Sequence, residues 1–170
     1  MLAAELSTMN RRPLGIGIIN FAYWMVKHDM TYQEPNLELI DEWAEAWSYS
    51  LIKASNKLAM EKGACPKTME TKYGHGITPN QTYKKEVDEL VKHKERQNWK
   101  ELRKNLKEHG IRNSTLMALM PAETSAQISN STNGIEPPRG YISIKQSKHG
   151  VLKQVVPGFP YYKNKYDLLW

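Results

Sequence analysis

The sequence predicts an α/β chain, and three observations carry that expectation. Residues 37–62 hold an apolar stripe at helical spacing, short β-branched runs alternate with helical patterns, and a hairpin signal lies near the C-terminus. Strands separated by helices favour layered α/β packing. The strands are few, however. Three or four cannot close a barrel by themselves, and a small open sheet would leave edges exposed, which points to an incomplete unit.

Taken in order, "PLGIGIIN" is a glycine-punctuated, β-branched run. It reads as a buried strand, or as a strand turning into a helix that continues through Phe21, Trp24 and Met25. "KHDMTYQEPN" is a loop, and Asn36 suits a helix N-cap. Ile40, Trp43, Trp47, Leu51, Ala54 and Leu58 recur every three or four residues, which predicts one helix over 37–62 closed by Gly63, with the stripe facing the core. Trp43 and Trp47 could stack on bases, but at helical spacing they read as core. Residues 63–82 carry Gly63, Pro66, Gly74, Gly76 and Pro79 and read as a long loop. Charged helices follow over 83–92 and 99–108, with Val87, Leu90, Trp99, Leu102 and Leu106 expected to face inward and Gly110 to cap the second. "STLMALM" reads as a strand, "SAQISN" as a short helix or turn, and "YISIKQ" with "VLKQVV" around "SKHG" as a hairpin. The tail after Pro157 has no clear period, and the chain shows no internal repeat.

The 170 residues suit one domain, and 40% apolar residues allow a core. Mean hydropathy is −0.65, a quarter of the residues are charged, and no segment approaches a membrane span, so a non-membrane protein is expected. The N-terminal stretch lacks the apolar region of a signal peptide. A single cysteine, Cys65, excludes an internal disulfide and a cysteine-only zinc site, and a cytoplasmic location is the simplest expectation. Net charge is +6, and the run from Arg139 to Tyr166 holds six basic residues and no acid. That run suits a solvated hairpin face or contact with an acidic partner.

Few residues offer chemistry. His28, His75, His93, His109 and His149 show no metal-ligand spacing, so no metal site is expected. Cys65, in "GACP", lacks a signal for a lowered pKa and reads as inert packing. No phosphate-binding glycine motif is complete. The informative stretch is "MPAETSAQISNSTNGIEPPRG". A strand ending at Met120, then Pro121, then Glu123, Thr124 and Ser125 opening a helix, is the layout of an anion site. The first turn of a helix leaves backbone N–H groups free, at the positive end of the macrodipole. Ligands in α/β folds also sit at the carboxyl ends of strands. The alternative is that Thr124 or Ser125 simply caps the helix.

Four blocks then carry a resemblance: "RRPLGIGIINFAYW", "KASNKLAMEKGACP", "GIRNSTLMALMPAETSAQISNSTNGIEPPRG" and "LKQVVP". Over about residues 7–170 the chain resembles the large (alpha) subunit of class I ribonucleoside-diphosphate reductase, of the enterobacterial and phage type. The resemblance implies part of an α/β barrel, in the second half-barrel, with a hairpin near the C-terminus. It implies that 1–170 is a single segment of that barrel, without the regulatory N-terminal domain, the finger loop or the C-terminal tail. It implies that the turn Pro121, Ala122, Glu123, Thr124 and Ser125 binds the diphosphate of a nucleoside diphosphate substrate. Ala122 stands where serine is common, a small loss if the backbone amide is the ligand. No catalytic residue is implied here, because the radical cysteine, the reducing dithiol, the tyrosine relay and the C-terminal cysteines have no counterpart. Tyr161 and Tyr162 come too early in the pattern to be that relay. No cofactor is implied in this segment: the radical comes from a metal-containing small subunit, and ATP or dNTP effectors bind elsewhere. The implied partners are the rest of the alpha subunit, the small (beta) radical-generating subunit, and thioredoxin or glutaredoxin as reductant. An inactive remnant or a phosphate-binding module is the alternative.

Overall fold

The computed structural model describes residues 1–148 and 150–166; His149 lies outside the described residues. The chain divides into two compact units. One comprises Met1–Ile16 and Asn36–Met117; the other comprises Gly17–Pro35 with the chain from Ala118 onward.

The first unit is built on two helices, after a ten-residue N-terminal helix α1 (Leu2–Arg11) in which no residue is buried. The long helix α3 (Leu37–Lys62) starts where expected, with Asn36 Oδ1 accepting from the Leu39 amide at 3.0 Å. Helix α4 (Trp99–His109) starts the same way at Asn98 and ends at Gly110, whose φ of 70° a side chain would resist. A Cβ at Gly110 would also meet the Thr68 hydroxyl at 2.8 Å. The core is Ile52 from α3, Trp99, Leu102 and Leu106 from α4, and Ile111 and Leu116 beyond it. Tyr49 meets Trp99 edge to face at 5.1 Å.

Buried polar groups tie this core together. Glu45, on α3, accepts from the Arg96 amide at 2.7 Å, the Gln97 amide at 3.0 Å and Trp99 Nε1 at 2.8 Å. Ser55 Oγ donates to Asn113 Oδ1 and accepts from the Asn113 amide, at 2.9 and 3.0 Å. Asn56 Nδ2 donates to Gly110 O at 2.8 Å. Each bond satisfies a group that would be costly to bury alone.

The structure corrects the sequence reading at several elements. The stripe on α3 is not the core-facing side. Ile40, Trp43, Trp47 and Leu51 are half-buried, Ala54 and Leu58 are exposed, and the buried positions are Glu45, Ile52, Ser55, Asn56 and Ala59. Polar residues went inward because each finds a backbone or side-chain partner across the helix pair. Residues 83–92 are not a helix. Only a 3-10 turn, Lys85–Glu89, forms there, and Leu90 is 74% exposed with Val87 also open to solvent. A short charged helix with no apolar face to dock has little to stabilise it. Residues 63–82 are a loop, but an ordered one, folded into 3-10 turns at Thr68–Glu70, Tyr73–His75 and Pro79–Gln81.

The runs read as strands at "PLGIGIIN" and "STLMALM" pair through a single parallel bridge, Ile16 to Met117. The Leu14 and Ile16 amides donate to Thr115 O and Leu116 O at 2.9 and 2.7 Å. Among the described residues these two short segments pair with no further strand and do not extend into a sheet.

In the second unit, the end of the same run, from Gly17, leads into α2 (Phe21–Lys27), which buries Ala22, Met25 and Val26. Then come α5 (Glu123–Ile128), the strands β1 (Ile142–Ser147) and β2 (Gly150–Val155), and α6 (Phe159–Tyr162). The hairpin is antiparallel, with Ile142 opposite Val155 and Ser147 opposite Gly150. Its small core joins Val26, Val156 and Tyr166, flanked by Tyr141, Phe159 and Tyr162. Among the described residues this mixed α/β chain holds a two-stranded sheet and no closed barrel, as a partial barrel would. No helix among them is long and apolar enough to cross a membrane.

Candidate functional site

The turn singled out in the sequence sits at the N-terminus of α5. Ala122, not Thr124 or Ser125, occupies the N-cap, and no side chain caps the helix. The capping alternative therefore has no hydroxyl behind it. Intrahelical bonding begins with the Ala126 amide donating to Ala122 O at 2.9 Å. The amides of Glu123, Thr124 and Ser125 precede that first bond and are orphan donors by position. Pro121, Glu123, Thr124 and Ser125 are exposed, while Ala126 is buried and anchors the helix.

The neighbours that hold this turn were not read from the sequence. Asn133 Oδ1 accepts from the Ala122 amide at 2.8 Å, which locks the chain just before the helix. The loop after the helix is pinned in turn. The Ser131 amide donates to Ala126 O at 2.7 Å, and Asn20 exchanges bonds with Thr132, backbone to backbone at 2.8 Å and through its side chain at 3.1 Å. Tyr32 OH donates to Ile135 O at 2.6 Å. Gln154 on β2 reaches Ser131 O at 3.1 Å and Ala126 O at 3.4 Å, fastening the hairpin to the same loop. The only sequence signal for Asn133 was its place in an Asn-Gly turn, which says nothing about its partner.

Electrostatics follow from the hairpin. Lys145 on β1 lies 2.6 Å from Glu123 Oε2. Its hydrogen bond, then its charge, with Arg139 beyond, hold the Glu123 carboxyl below the usual carboxylate range. The acidic side chain in the turn is thus already matched by a cation. Of the basic run near the C-terminus, Lys145 pairs with Glu123 and Lys165 with Asp29.

A cavity of about 50 Å³ adjoins Pro121, lined also by Met120, Asn133 and Gly134. A larger cleft of about 410 Å³ lies in the first unit, against Arg11, Tyr73 and Thr78, and touches none of the turn residues. Cys65 is buried, and burial pushes its thiol up despite amide hydrogen bonds and two nearby arginines, which suits packing rather than nucleophilic work. Among the described residues no cluster of three or more His, Cys, Asp or Glu could hold a metal ion.

A family model described as the ribonucleotide reductase barrel domain matches residues 2–167. This chain belongs to the ribonucleotide reductase barrel-domain family. The reductase relatives include the ribonucleoside-diphosphate reductase 1 subunit alpha of Salmonella typhimurium, 55% identical over 99% of this chain and 22% of the relative. The subunit of that name from Escherichia coli is 54% identical over the same shares. The ribonucleoside-diphosphate reductase subunit alpha of phage T4 is 46% identical over 94% of this chain and 21% of its own length. The chain thus spans about a fifth of the reductase subunits it matches.

Proposed function

We propose that this chain works as part of a ribonucleoside-diphosphate reductase alpha subunit, reducing ribonucleoside diphosphates to deoxyribonucleoside diphosphates for DNA synthesis. In that assembly the turn Pro121, Ala122, Glu123, Thr124 and Ser125 receives the substrate's diphosphate. The observation that carries this is the exposed first turn of α5. No side chain caps it, its leading amides precede the first intrahelical bond, and Glu123 is balanced by Lys145. Such amides, with the helix dipole, favour an oxyanion without any net positive side chain. Thr124 and Ser125 add hydroxyl donors at the same place.

The partners are the remainder of the alpha subunit, the small (beta) subunit that supplies the radical from its own metal centre, and thioredoxin or glutaredoxin. ATP or dNTP effectors bind outside this region. A cytoplasmic location belongs to the same reading. The sequence holds one cysteine, so it carries no dithiol to reduce a ribose. The chain alone, given the small subunit, a nucleoside diphosphate and a reductant, is expected to form no deoxynucleotide.

The test uses the chain reassembled with the rest of a reductase. Thr124→Ala removes one hydroxyl and is expected to cost roughly 0.5–1.5 kcal/mol of binding. Ser125→Pro deletes a backbone donor and is expected to cost more. Thr124→Asp sets a carboxylate against the phosphate and should weaken nucleoside diphosphate affinity while the melting temperature holds, because aspartate suits a helix start. Unchanged affinity in Thr124→Asp would defeat the phosphate-site reading.

A further inference from the structure

We propose that the cleft against Arg11, Tyr73 and Thr78 in the first unit is a binding site for a small sugar phosphate. It shares no residue with the turn at 121–125, and the inference goes beyond the reading above without depending on it.

The cleft measures about 410 Å³, a size that takes a small ligand. Its walls come from three stretches of the one unit: the chain after α1, the loop over 70–82, and Ser114 with Thr115. Backbone bonds tie these stretches together. The Lys67 amide donates to Asn10 O at 3.1 Å, the Cys65 amide to Ile111 O at 2.9 Å, and the Ser114 amide to Arg11 O at 2.9 Å. Thr68 Oγ1 accepts from the Ile111 amide at 3.1 Å. Residues 63–82 hold no α-helix and no strand, yet they are fixed in 3-10 turns. A connection of that length is uncommon in a compact unit and characteristically serves binding.

Charge at the cleft favours an anion. Glu70, the carboxylate in the lining, pairs with Arg11 and, at 2.7 Å, with Lys67. The Lys67 hydrogen bond is the largest cause that holds its carboxyl below the usual range. Lys72 lines the same cleft and has no ion pair among the described residues, so the local charge is positive. Hydroxyls favour a sugar. Half of the lining residues carry one. Those of Tyr73, Ser114 and Thr115 make no hydrogen bond among the described residues. Burial raises the Tyr73 pKa, so the phenol keeps its proton at neutral pH and can donate. Thr71 Oγ1 already donates to Thr68 O at 2.6 Å, and Thr82 Oγ1 to Pro79 O at 3.5 Å, which leaves their oxygens to accept. Donors beside a free ammonium suit phosphate oxygens, and acceptors suit the hydroxyls of a sugar. Pro13 and Ile77 add an apolar wall for the sugar's carbon face. An acidic segment from the rest of a longer chain is the competing occupant.

The experiment titrates the 170-residue chain with ribose 5-phosphate, with ribose and with inorganic phosphate, and reads binding by calorimetry. Ribose 5-phosphate is expected to bind saturably, and ribose or inorganic phosphate alone far more weakly. Lys72→Ala removes the free cation and should weaken binding by about ten-fold or more, whereas Tyr73→Phe and Ser114→Ala each remove one hydroxyl and should weaken it a few-fold. Lys100→Ala, on α4 and outside the cleft, should change nothing. Circular dichroism and melting temperature check that each variant folds, and Lys72→Gln serves if Lys72→Ala does not. In the chain reassembled with the rest of a reductase, ribose 5-phosphate should slow the acetylation of Lys72, read by mass spectrometry. The proposal is overturned by absence of saturable binding, by binding that survives Lys72→Ala and Tyr73→Phe intact, or by inorganic phosphate binding as tightly as the ester. It is overturned equally if Lys72 in the reassembled enzyme is shielded from acetylation before any ligand is added, because an acidic segment is then the occupant.

Discussion

The two units handle polar side chains in opposite ways. In the first, Glu45, Ser55 and Asn56 are buried and bind backbone across a helix pair, beneath Ile52, Trp99 and Leu106. In the second, Glu123, Thr124 and Ser125 are exposed, and the carboxylate is met by a lysine at the surface. The second unit has a small core, and the hairpin's Ile142, Ile144, Val151 and Val155 are all exposed. The difference teaches that the two units are held by different means. Buried polar bonds fix helices in register, whereas exposed polar groups beside a weakly packed hairpin leave that region less firmly held.

The largest effect that could break this contrast is in the first core. Trp99→Ala removes a side chain that is 1% exposed and also the Glu45 partner. A loss of about 3–5 kcal/mol is expected on chemical denaturation. A loss below about 1 kcal/mol would mean that the helix pair is not what holds the unit together.

Next comes the buried carboxylate. Burial pushes the Glu45 pKa up, but hydrogen bonds from Trp99, from the Gln97 and Arg96 amides and from the Arg96 guanidinium outweigh it, and the net shift is downward. Asp41 is lowered likewise, against its burial, by bonds from Arg96 and His93. A carboxyl with a depressed folded pKa contributes stability above its unfolded value, about pH 4, and loses it as pH falls through the folded value. The melting temperature should therefore hold at neutral pH and fall in acid. Glu45→Ala, which strands three donors, should cost about 3 kcal/mol at neutral pH and flatten the acid limb. An acid limb unchanged in that variant would remove Glu45 from the account.

The smallest effect sharpens the other side of the comparison. Gln154→Ala frees the hairpin from Ser131 O and Ala126 O and should cost roughly 1 kcal/mol, confined to the second unit. Hydrogen exchange should quicken in β1 and β2 and in the loop after α5, while α3 and α4 stay protected. Equal quickening in both units would show that they do not unfold separately.

The sequence by itself determined the elements whose signals are local. Asn36 and Gly63 marked both ends of α3, Gly110 closed α4, and paired β-formers around a short turn marked the hairpin. Cap side chains and left-handed glycines act within a few residues, so they are legible without a partner. The helix opening after Pro121 was legible too, because the proline and the hydroxyl run lie side by side, and the family resemblance rested on the same contiguous stretch. Tertiary structure alone decided the rest. It chose which side of α3 is buried, because Glu45, Ser55 and Asn56 find partners more than 45 residues away in sequence, at Arg96, Asn113 and Gly110. It left 83–92 without a helix for want of a surface to pack on, and it assigned Asn133 and Lys145 to the turn. Those choices depend on which distant groups meet, and periodicity along one chain carries no record of that.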